Sequence, residues 1–198
     1  MRLYRTCSII RSTNINHFLD TSEEIAAIET LLPTENMIDK VFDRKVSANY
    51  SRFCPPQFLP IPLYVSEDSM TTFYEYCFHL LKNINLISYN KPLNANLYFL
   101  KIIGQPKVKD ISVGKPPAGV MSKTSYAKSH AFIKKLKPFP DIIKYKSVRD
   151  KNQKNNYAIY TKNNVKEDGV LPESILVNIK SDQNIEVYYG GKTYGLVF

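Results

Sequence analysis

Proline places the strongest restriction on what this chain can fold into. The 198 residues include 12 prolines but only 7 glycines. Because proline fixes φ and has no backbone N–H, it interrupts helices and central strands. The hydrophobic content of 43% is ordinary for a globular protein, so the pattern predicts many short elements joined by defined turns rather than disorder. A chain of this length can bury one sizeable core, and we predict a single domain over residues 1–198.

Three segments have the spacing of apolar residues that is typical of amphipathic helices. The first begins with capping-box spacing at Thr21–Glu24 and ends at Pro33. The second follows Ser66–Ser69, whose side chains can cap it, and the third stops before Pro138. The predicted helices cover residues 22–32, 70–82 and 126–136, and residues 34–49 are predicted to form a loop or a short helical turn.

Strands are predicted where β-branched and aromatic residues cluster between turn residues. Alternation predicts the first strand over residues 2–10, and Tyr50–Phe53 is predicted to be extended because Pro55 and Pro56 restrict the chain before them. Lys151–Asn156 is predicted to be only a polar turn between two strands. Further strands are predicted at 61–65, 96–103, 142–145, 157–160, 174–179 and 185–189. Since helices come early and strands late, the predicted fold class is α+β.

The charge of the chain is strongly positive. A net charge of +9 is concentrated between Lys101 and Lys166, and it attracts nucleic acid, an acidic partner or a phosphorylated small molecule without choosing among them. No apolar run approaches the length of about 18 residues that a membrane span needs. The basic N-terminus is not followed by an apolar stretch, which argues against a signal peptide. We therefore expect a cytoplasmic protein, with export by another route left open.

Metal and disulfide chemistry find little support in the sequence. Cys7, Cys54 and Cys77 are widely separated and form no Cys-x-x-Cys pair, so neither a disulfide framework nor a zinc site is predicted. The three histidines have no partner at ligand spacing, and we expect no metal. The sequence contains no Gly-x-Gly-x-x-Gly or P-loop motif, which excludes a Rossmann-type dinucleotide site.

Two groups of residues can carry chemistry. In the first, Arg52 stands at the end of an extended segment, Tyr64 on the next strand, and Glu75 two turns into the following helix, so the three side chains can converge on one cleft. In the second, the strand at Tyr145 breaks into small and charged residues, where the hydroxyl of Ser147 can hold a sugar or an amide. Taken singly, each of these residues is more often an ordinary surface or core residue.

Together these motifs resemble the RES-domain family, which is named for its arginine, glutamate and serine. Cys54 stands where the family usually has asparagine, and Lys146 where it usually has proline. The matching segments occur in the family's order: Leu3-Tyr4-Arg5, Arg52-Phe53-Cys54-Pro55-Pro56, Leu63-Tyr64-Val65, Glu75 and Tyr145-Lys146-Ser147-Val148-Arg149-Asp150.

The resemblance implies a fold like that of ADP-ribosyltransferase toxins, with NAD in a cleft between small mixed or antiparallel sheets and helices at their flanks. It implies NAD degradation by hydrolysis or phosphorolysis, or alternatively mono-ADP-ribosylation of a protein. Glu75 would stabilise the oxocarbenium character of the ribose, Arg52 would bind the pyrophosphate, Tyr64 would pack against nicotinamide or its ribose, and Ser147 would bind near the same sugar. It also implies a toxin with a cognate antitoxin that carries a DNA-binding domain.

A hypothesis of another class remains open, a basic module that binds nucleic acid through lysine contacts and tyrosine stacking. That hypothesis predicts aromatic residues interleaved with lysines on one surface and does not need Glu75. The enzymatic hypotheses need Glu75 and Arg52 to face one cleft. The lysines at 134, 135 and 137 are either a solvated face or a docking surface for an acidic partner.

Overall fold

The computed structural model of the protein describes residues 1–8, 37–43, 51–83, 92–181 and 183–198. The helices in these ranges are α1 (Met37–Phe42), α2 (Ser69–Asn83) and α3 (Ala127–Lys135). The strands are β1 (Arg2–Ser8), β2 (Leu63–Ser66), β3 (Leu93–Ile102), β4 (Val108–Asp110), β5 (Ile142–Lys146), β6 (Asn155–Ile159), β7 (Val165–Glu167), β8 (Glu173–Ile179), β9 (Asn184–Tyr189) and β10 (Lys192–Val197). A 3-10 turn at Lys162–Asn164 precedes β7.

The strands of the described ranges form one hydrogen-bonded sheet in the order β10-β9-β8-β3-β1-β2-β6-β5-β4, with β7 also paired to β3. All pairs are antiparallel except β4 with β5. The α+β class is confirmed. The sheets expected to be small and separate are instead joined, and the joint between β1 and β2 consists of the single pair Tyr4 and Ser66.

That narrow joint divides the sheet into two parts, which we call the β1 half (β10, β9, β8, β3 and β1) and the β2 half (β2, β6, β5 and β4). Helix α2 packs on the β1 half, where Phe73 and Cys77 are fully buried and the Phe73 ring lies 5.5 Å from that of Tyr189. Helix α3 inserts Ile133 into the core of the β2 half. Helix α1 packs Val41 into a third cluster that draws on both halves.

The predicted helices at 70–82 and 126–136 are present as α2 and α3, and the short helical turn expected within 34–49 is α1. The predicted helix over 22–32 lies outside the described residues. The described residues include no helix of a length and apolarity that would cross a membrane.

The prediction that Tyr50–Phe53 is extended is wrong for its described part. Ser51 and Cys54 close a tight turn, in which the N–H of each donates to the carbonyl of the other at 3.1 Å. Arg52 and Phe53 are the corners of this turn. The phenol of Tyr64 accepts the N–H of Phe53 at 3.0 Å, so a side chain satisfies the group that an extended strand would have paired.

Lys151–Asn156 is more than the polar turn that was predicted. Asn155 and Asn156 begin β6 and pair with β5 at Lys146 and Tyr145. Strands β4, β7 and β10 were not predicted. Strands β4 and β7 have three residues each, of which one is apolar, so their strand signal is weak and pairing with a neighbour decides their conformation. The signal for β10 was present and was overlooked, because its β-forming residues follow Gly190-Gly191, a pair typical of a hairpin turn after β9.

Candidate functional site

A cleft opens where β1 and β2 separate beyond the Tyr4–Ser66 pair. Its volume is about 260 Å³, just under the usual range of small-molecule sites. From helix α2 the cleft takes Thr72, Glu75, Tyr76 and His79, which share one face because they follow an i, i+3, i+4, i+7 spacing. The other lining residues are Arg5, Thr6, Ser51, Arg52, Tyr64, Val65, Ser66, Tyr126, Tyr145, Arg149 and Asn156.

Glu75 is the single carboxylate that lines this cleft among the described residues. Its Oε1 accepts hydrogen bonds from Ser147 Oγ at 2.7 Å and from Asn156 Nδ2 at 2.8 Å. Asn156 is held in turn by the hydroxyl of Ser66, which donates to its Oδ1 at 2.5 Å. These bonds fix the carboxyl group on the cleft side of α2.

The pKa of Glu75 is raised from its ordinary value because burial removes water from the carboxylate. The hydrogen bond from Ser147, the charge of Arg149, the hydrogen bond from Asn156 and the charge of Arg52 oppose that rise. The site therefore combines a desolvated carboxylate with several groups that favour its ionised form.

Ser147 is 2% exposed and stands behind Glu75 rather than on the cleft wall. Besides donating to Glu75, its Oγ accepts the N–H groups of Arg149 and Asp150, each at 3.1 Å. One donated and two accepted bonds use the full capacity of a hydroxyl. In this position Ser147 holds the carboxylate of Glu75 in place, and its predicted contact with the sugar stays a prediction.

Asp150 ties the same turn to the start of α2. Its Oδ2 accepts the hydroxyl of Thr71 at 2.7 Å, and the N–H of Thr71 donates to the capping side chain of Asp68 at 3.1 Å. Arg149, in the same turn, contacts two other segments of the chain. Its Nη2 donates to the carbonyl of Lys123 at 2.9 Å, and its guanidinium carbon lies 3.4 Å from the ring centre of Phe78.

Arg52 is 7% exposed and is held by the chain that leads into α3. Its Nη1 donates to the carbonyls of Val120 at 3.2 Å and Ser122 at 2.8 Å, and its guanidinium carbon lies 5.2 Å from the ring centre of Tyr126. Arg52 is among the residues that line the cleft, and the planar fork of donors in a guanidinium suits the oxygens of a phosphate.

Arg5 adds a third guanidinium, from β1. Its Nη1 donates to the carbonyl of Tyr64 at 2.7 Å, and its Nε donates to Cys7 Sγ at 3.1 Å. The side chain thus bonds a β2 carbonyl at the point where the two strands have separated. With Arg5, Arg52 and Arg149 against Glu75, the cleft carries an excess of positive charge.

Tyr64 is among the residues that line the cleft, and its hydroxyl forms hydrogen bonds within the protein. The phenol oxygen is 2.8 Å from Ser51 Oγ and accepts the N–H of Phe53 at 3.0 Å. Burial raises the pKa of this phenol well above its ordinary value. The tyrosine therefore supports the turn that carries Arg52.

His79 stands one turn after Glu75 on the same face of α2. The pKa of its imidazole is lowered, first by burial and then by the charges of Arg149, Lys82 and Arg52. At neutral pH this lowering favours an uncharged ring at the cleft.

Of the sequence-predicted site residues, Arg52, Tyr64 and Glu75 meet in the cleft, and Ser147 reaches it through Glu75. The roles given to these four residues stay predictions. Sequence analysis missed Asn156, which was assigned to a polar turn. A signal was available, because Asn156 directly precedes the apolar run that begins at Tyr157. A polar side chain buried at the start of such a run needs a hydrogen-bond partner.

A second, larger groove of about 720 Å³ lies beside the turn that follows β5. It is basic, and the residues that line it include no aromatic side chain in the described ranges. The stacking surface that the nucleic-acid hypothesis predicts is therefore not found in this groove. The basic residues along it are Lys123, Lys144, Lys146, Arg149 and Lys151.

The described residues contain no group of three or more His, Cys, Asp or Glu side chains that could hold a metal ion. All three cysteines are free thiols.

A family model described as the RES domain matches residues 40–177, a range that includes Arg52, Tyr64, Glu75, Ser147 and Asn156. No curated protein is similar enough to the chain to count as a match. Because the matched range covers more than half of the sequence, the chain belongs to the RES-domain family.

Proposed function

We propose that this protein cleaves the bond between nicotinamide and ribose in NAD. The observation that carries the proposal is the carboxylate of Glu75, held by Ser147 and Asn156 in a cleft that is otherwise lined by cationic and neutral groups. Breaking this glycosidic bond develops positive charge on the ribose, and a fixed carboxylate in a desolvated site stabilises that charge.

The arginines fit the remainder of the substrate. A pyrophosphate carries negative charge on several oxygens, and the planar guanidinium of Arg52 is suited to bind two of them at once. Arg5 and Arg149 line the same cleft. The negative charge of the substrate would also offset the mutual repulsion of these three cations, and this gain in electrostatic energy favours binding.

Nicotinamide leaves as a neutral molecule, so the reaction needs no strong general acid. An oxygen of water or phosphate then bonds to the ribose carbon that nicotinamide has left. Glu75 can accept hydrogen bonds from the ribose hydroxyls while it faces the developing charge. Both of its hydrogen bonds to described residues are made by Oε1, which leaves Oε2 for the substrate. Within this scheme Ser147 and Asn156 act on the substrate through Glu75.

The test is to incubate the purified protein with NAD and to follow nicotinamide release by chromatography. Arg52→Ala and Glu75→Gln should each abolish most of the release, and Arg2→Ala, which removes an exposed arginine paired with Asp168, should leave it unchanged. No release by the native protein, or undiminished release by both cleft variants, contradicts the proposal.

We extend the proposal to the role of a toxin restrained by an antitoxin protein that carries a DNA-binding domain, which rests on family membership. Expression of the native chain in a bacterial host should lower the cellular NAD pool and arrest growth, and Glu75→Gln should do neither. A reaction with labelled NAD and host lysate separates the alternative of mono-ADP-ribosylation, because only that reaction leaves the label on a protein.

A further inference from the structure

The cleft beside Glu75 is too small to enclose a whole dinucleotide. Its volume is about 260 Å³, whereas sites that enclose a drug-sized ligand have about 300–1,000 Å³, and NAD is larger than most such ligands. On the proposed function, the cleft takes the nicotinamide ribose, because that ribose has to meet Glu75. The other part of the substrate, adenosine with its two phosphates, needs a surface beyond the cleft.

The basic groove of about 720 Å³ adjoins the cleft at Arg149. Arg149 lines both cavities, and among the described residues no other one is common to the two linings. Its Nη2 donates to the carbonyl of Lys123, a residue of the groove, at 2.9 Å. The same guanidinium lies close enough to Glu75 for its charge to lower the pKa of that carboxyl. A ligand that extends from Glu75 past Arg149 therefore meets the groove.

Three lysines of this groove are free to bind phosphate. Lys123, Lys146 and Lys151 are exposed and form no ion pair with the described part of the chain. The remaining lysine of the groove, Lys144, is paired with Asp110 at 3.3 Å. Cations without a carboxylate partner gain most from the oxygens of a bound diphosphate. The groove therefore has the charge that a nucleotide needs.

The other residues of the groove suit a base and do not repel phosphate. Asp150 is the only carboxylate among the described residues that line it; it is 3% exposed and accepts the hydroxyl of Thr71 at 2.7 Å. Aliphatic side chains also line the groove, and one of them, Val113, is 78% exposed. The faces of an adenine ring are apolar enough to pack against such side chains. The other apolar residues of the lining are Ile111, Pro116, Met121 and Val148.

Building on the proposed function, we propose that the groove binds the adenosine diphosphate part of NAD, with the phosphates at Arg149 and the free lysines and the adenine against the aliphatic side chains. The groove then selects a dinucleotide, because a nicotinamide nucleotide without adenosine makes none of these contacts. Since the groove lies away from the bond that breaks, its contacts are equal in the bound substrate and in the transition state. Such contacts lower KM and leave kcat unchanged.

The test measures KM and kcat for nicotinamide release from NAD, and the affinity for ADP by calorimetry. Lys123→Gln/Lys151→Gln removes two of the free cations, one from the segment before α3 and one from the turn after β5. Its matched control is Lys134→Gln/Lys135→Gln, the same loss of charge at exposed residues of α3 that do not line the groove.

A second pair of variants adds a carboxylate instead of removing cations. Val113→Asp places a negative charge in the groove at an exposed side chain, so it repels the diphosphate without disturbing the core. Leu171→Asp makes the same charge change at a side chain that is 85% exposed and does not line the groove. Because both sites are exposed, all of these variants should keep the native melting temperature.

Each groove variant should raise KM for NAD about tenfold and weaken ADP binding about tenfold, the effect of losing charge-assisted contacts. Its kcat should stay within about twofold of the native value. The two control variants should stay within about twofold of the native protein in all three quantities, because a general loss of positive charge does not change a specific site.

The inference is overturned if the groove variants match their controls in KM and in affinity for ADP. A fall in kcat at unchanged KM overturns it too, because the turn beside the groove then acts on Glu75 and not on adenosine. A native protein that releases no nicotinamide contradicts the proposed function itself, whereas the ADP titrations still report on the groove. The two failures are therefore distinguishable.

Discussion

Ser147 and Glu75 lie 72 residues apart in the sequence and are joined by a hydrogen bond of 2.7 Å from Oγ to Oε1. The same hydroxyl accepts two backbone N–H groups from the turn after β5. Ser147 and Glu75, which the sequence comparison by motif matched to the serine and glutamate of the family's name, thus meet as donor and acceptor. Their contact makes the turn after β5 responsible for the position of the carboxylate on α2.

Removing the Ser147 hydroxyl should weaken catalysis through Glu75. The bond from Ser147 lowers the pKa of that carboxyl, so Ser147→Ala should raise this pKa further and reduce the ionised fraction. We expect kcat/KM for NAD to fall about 10–100-fold and the acid limb of its pH profile to move to higher pH. Ser174→Ala, the same change on an exposed strand residue, is the control, and an unmoved acid limb contradicts the assignment.

A second carboxyl beside Glu75 should reduce activity on NAD more than the loss of the Ser147 hydroxyl does. Asn156→Asp replaces the Nδ2 donor with an acceptor at the position that is 2.8 Å from Oε1, and like charges this close cannot both ionise without a large penalty. Nicotinamide release should be nearly lost at pH 7 and partly recover at lower pH, where one carboxyl is protonated. The exposed Asn184→Asp variant carries the same charge change and should retain full activity.

Glu75 should lower the stability of the folded protein at neutral pH. Its folded pKa is raised, so the folded state holds a proton that the unfolded state releases first, and stability falls as pH rises from the unfolded pKa through the folded pKa. Below the ordinary glutamate pKa this contribution vanishes. Glu75→Gln should therefore raise the melting temperature at pH 7 and have a smaller effect near pH 4. A stabilisation that does not depend on pH contradicts this account.

The phenol of Tyr64 should stabilise the turn that carries Arg52. Tyr64→Phe leaves the N–H of Phe53 and the hydroxyl of Ser51 without their present partner. The free energy of unfolding, measured with urea, should fall by about 1–3 kcal/mol. Tyr188→Phe, at a side chain that is 51% exposed, should change it by less than about 0.5 kcal/mol. Equal effects of the two variants would show that the phenol bonds contribute nothing.

Local signals explain why some elements could be predicted. Helix α2 has capping residues before it and apolar residues at helical spacing, and both properties belong to a single short segment. Strand β7 has no such local signal. Val165–Glu167 is a strand because it pairs with β3, which lies far from it in the sequence. The turn at Ser51–Cys54 was misjudged because the N–H of Phe53 within it bonds the phenol of Tyr64, a partner that comes from another segment.

The sequence by itself determined the α+β class, the helix that carries Glu75, and the family through Arg52, Tyr64, Glu75 and Ser147. Only the tertiary structure decided that β1 and β2 pair at one position and then separate, and that Asn156 and Ser147 turn toward Glu75. The physical reason is register. Shifting a strand by one residue sends each side chain to the opposite face, and register is set by packing between segments far apart in the chain.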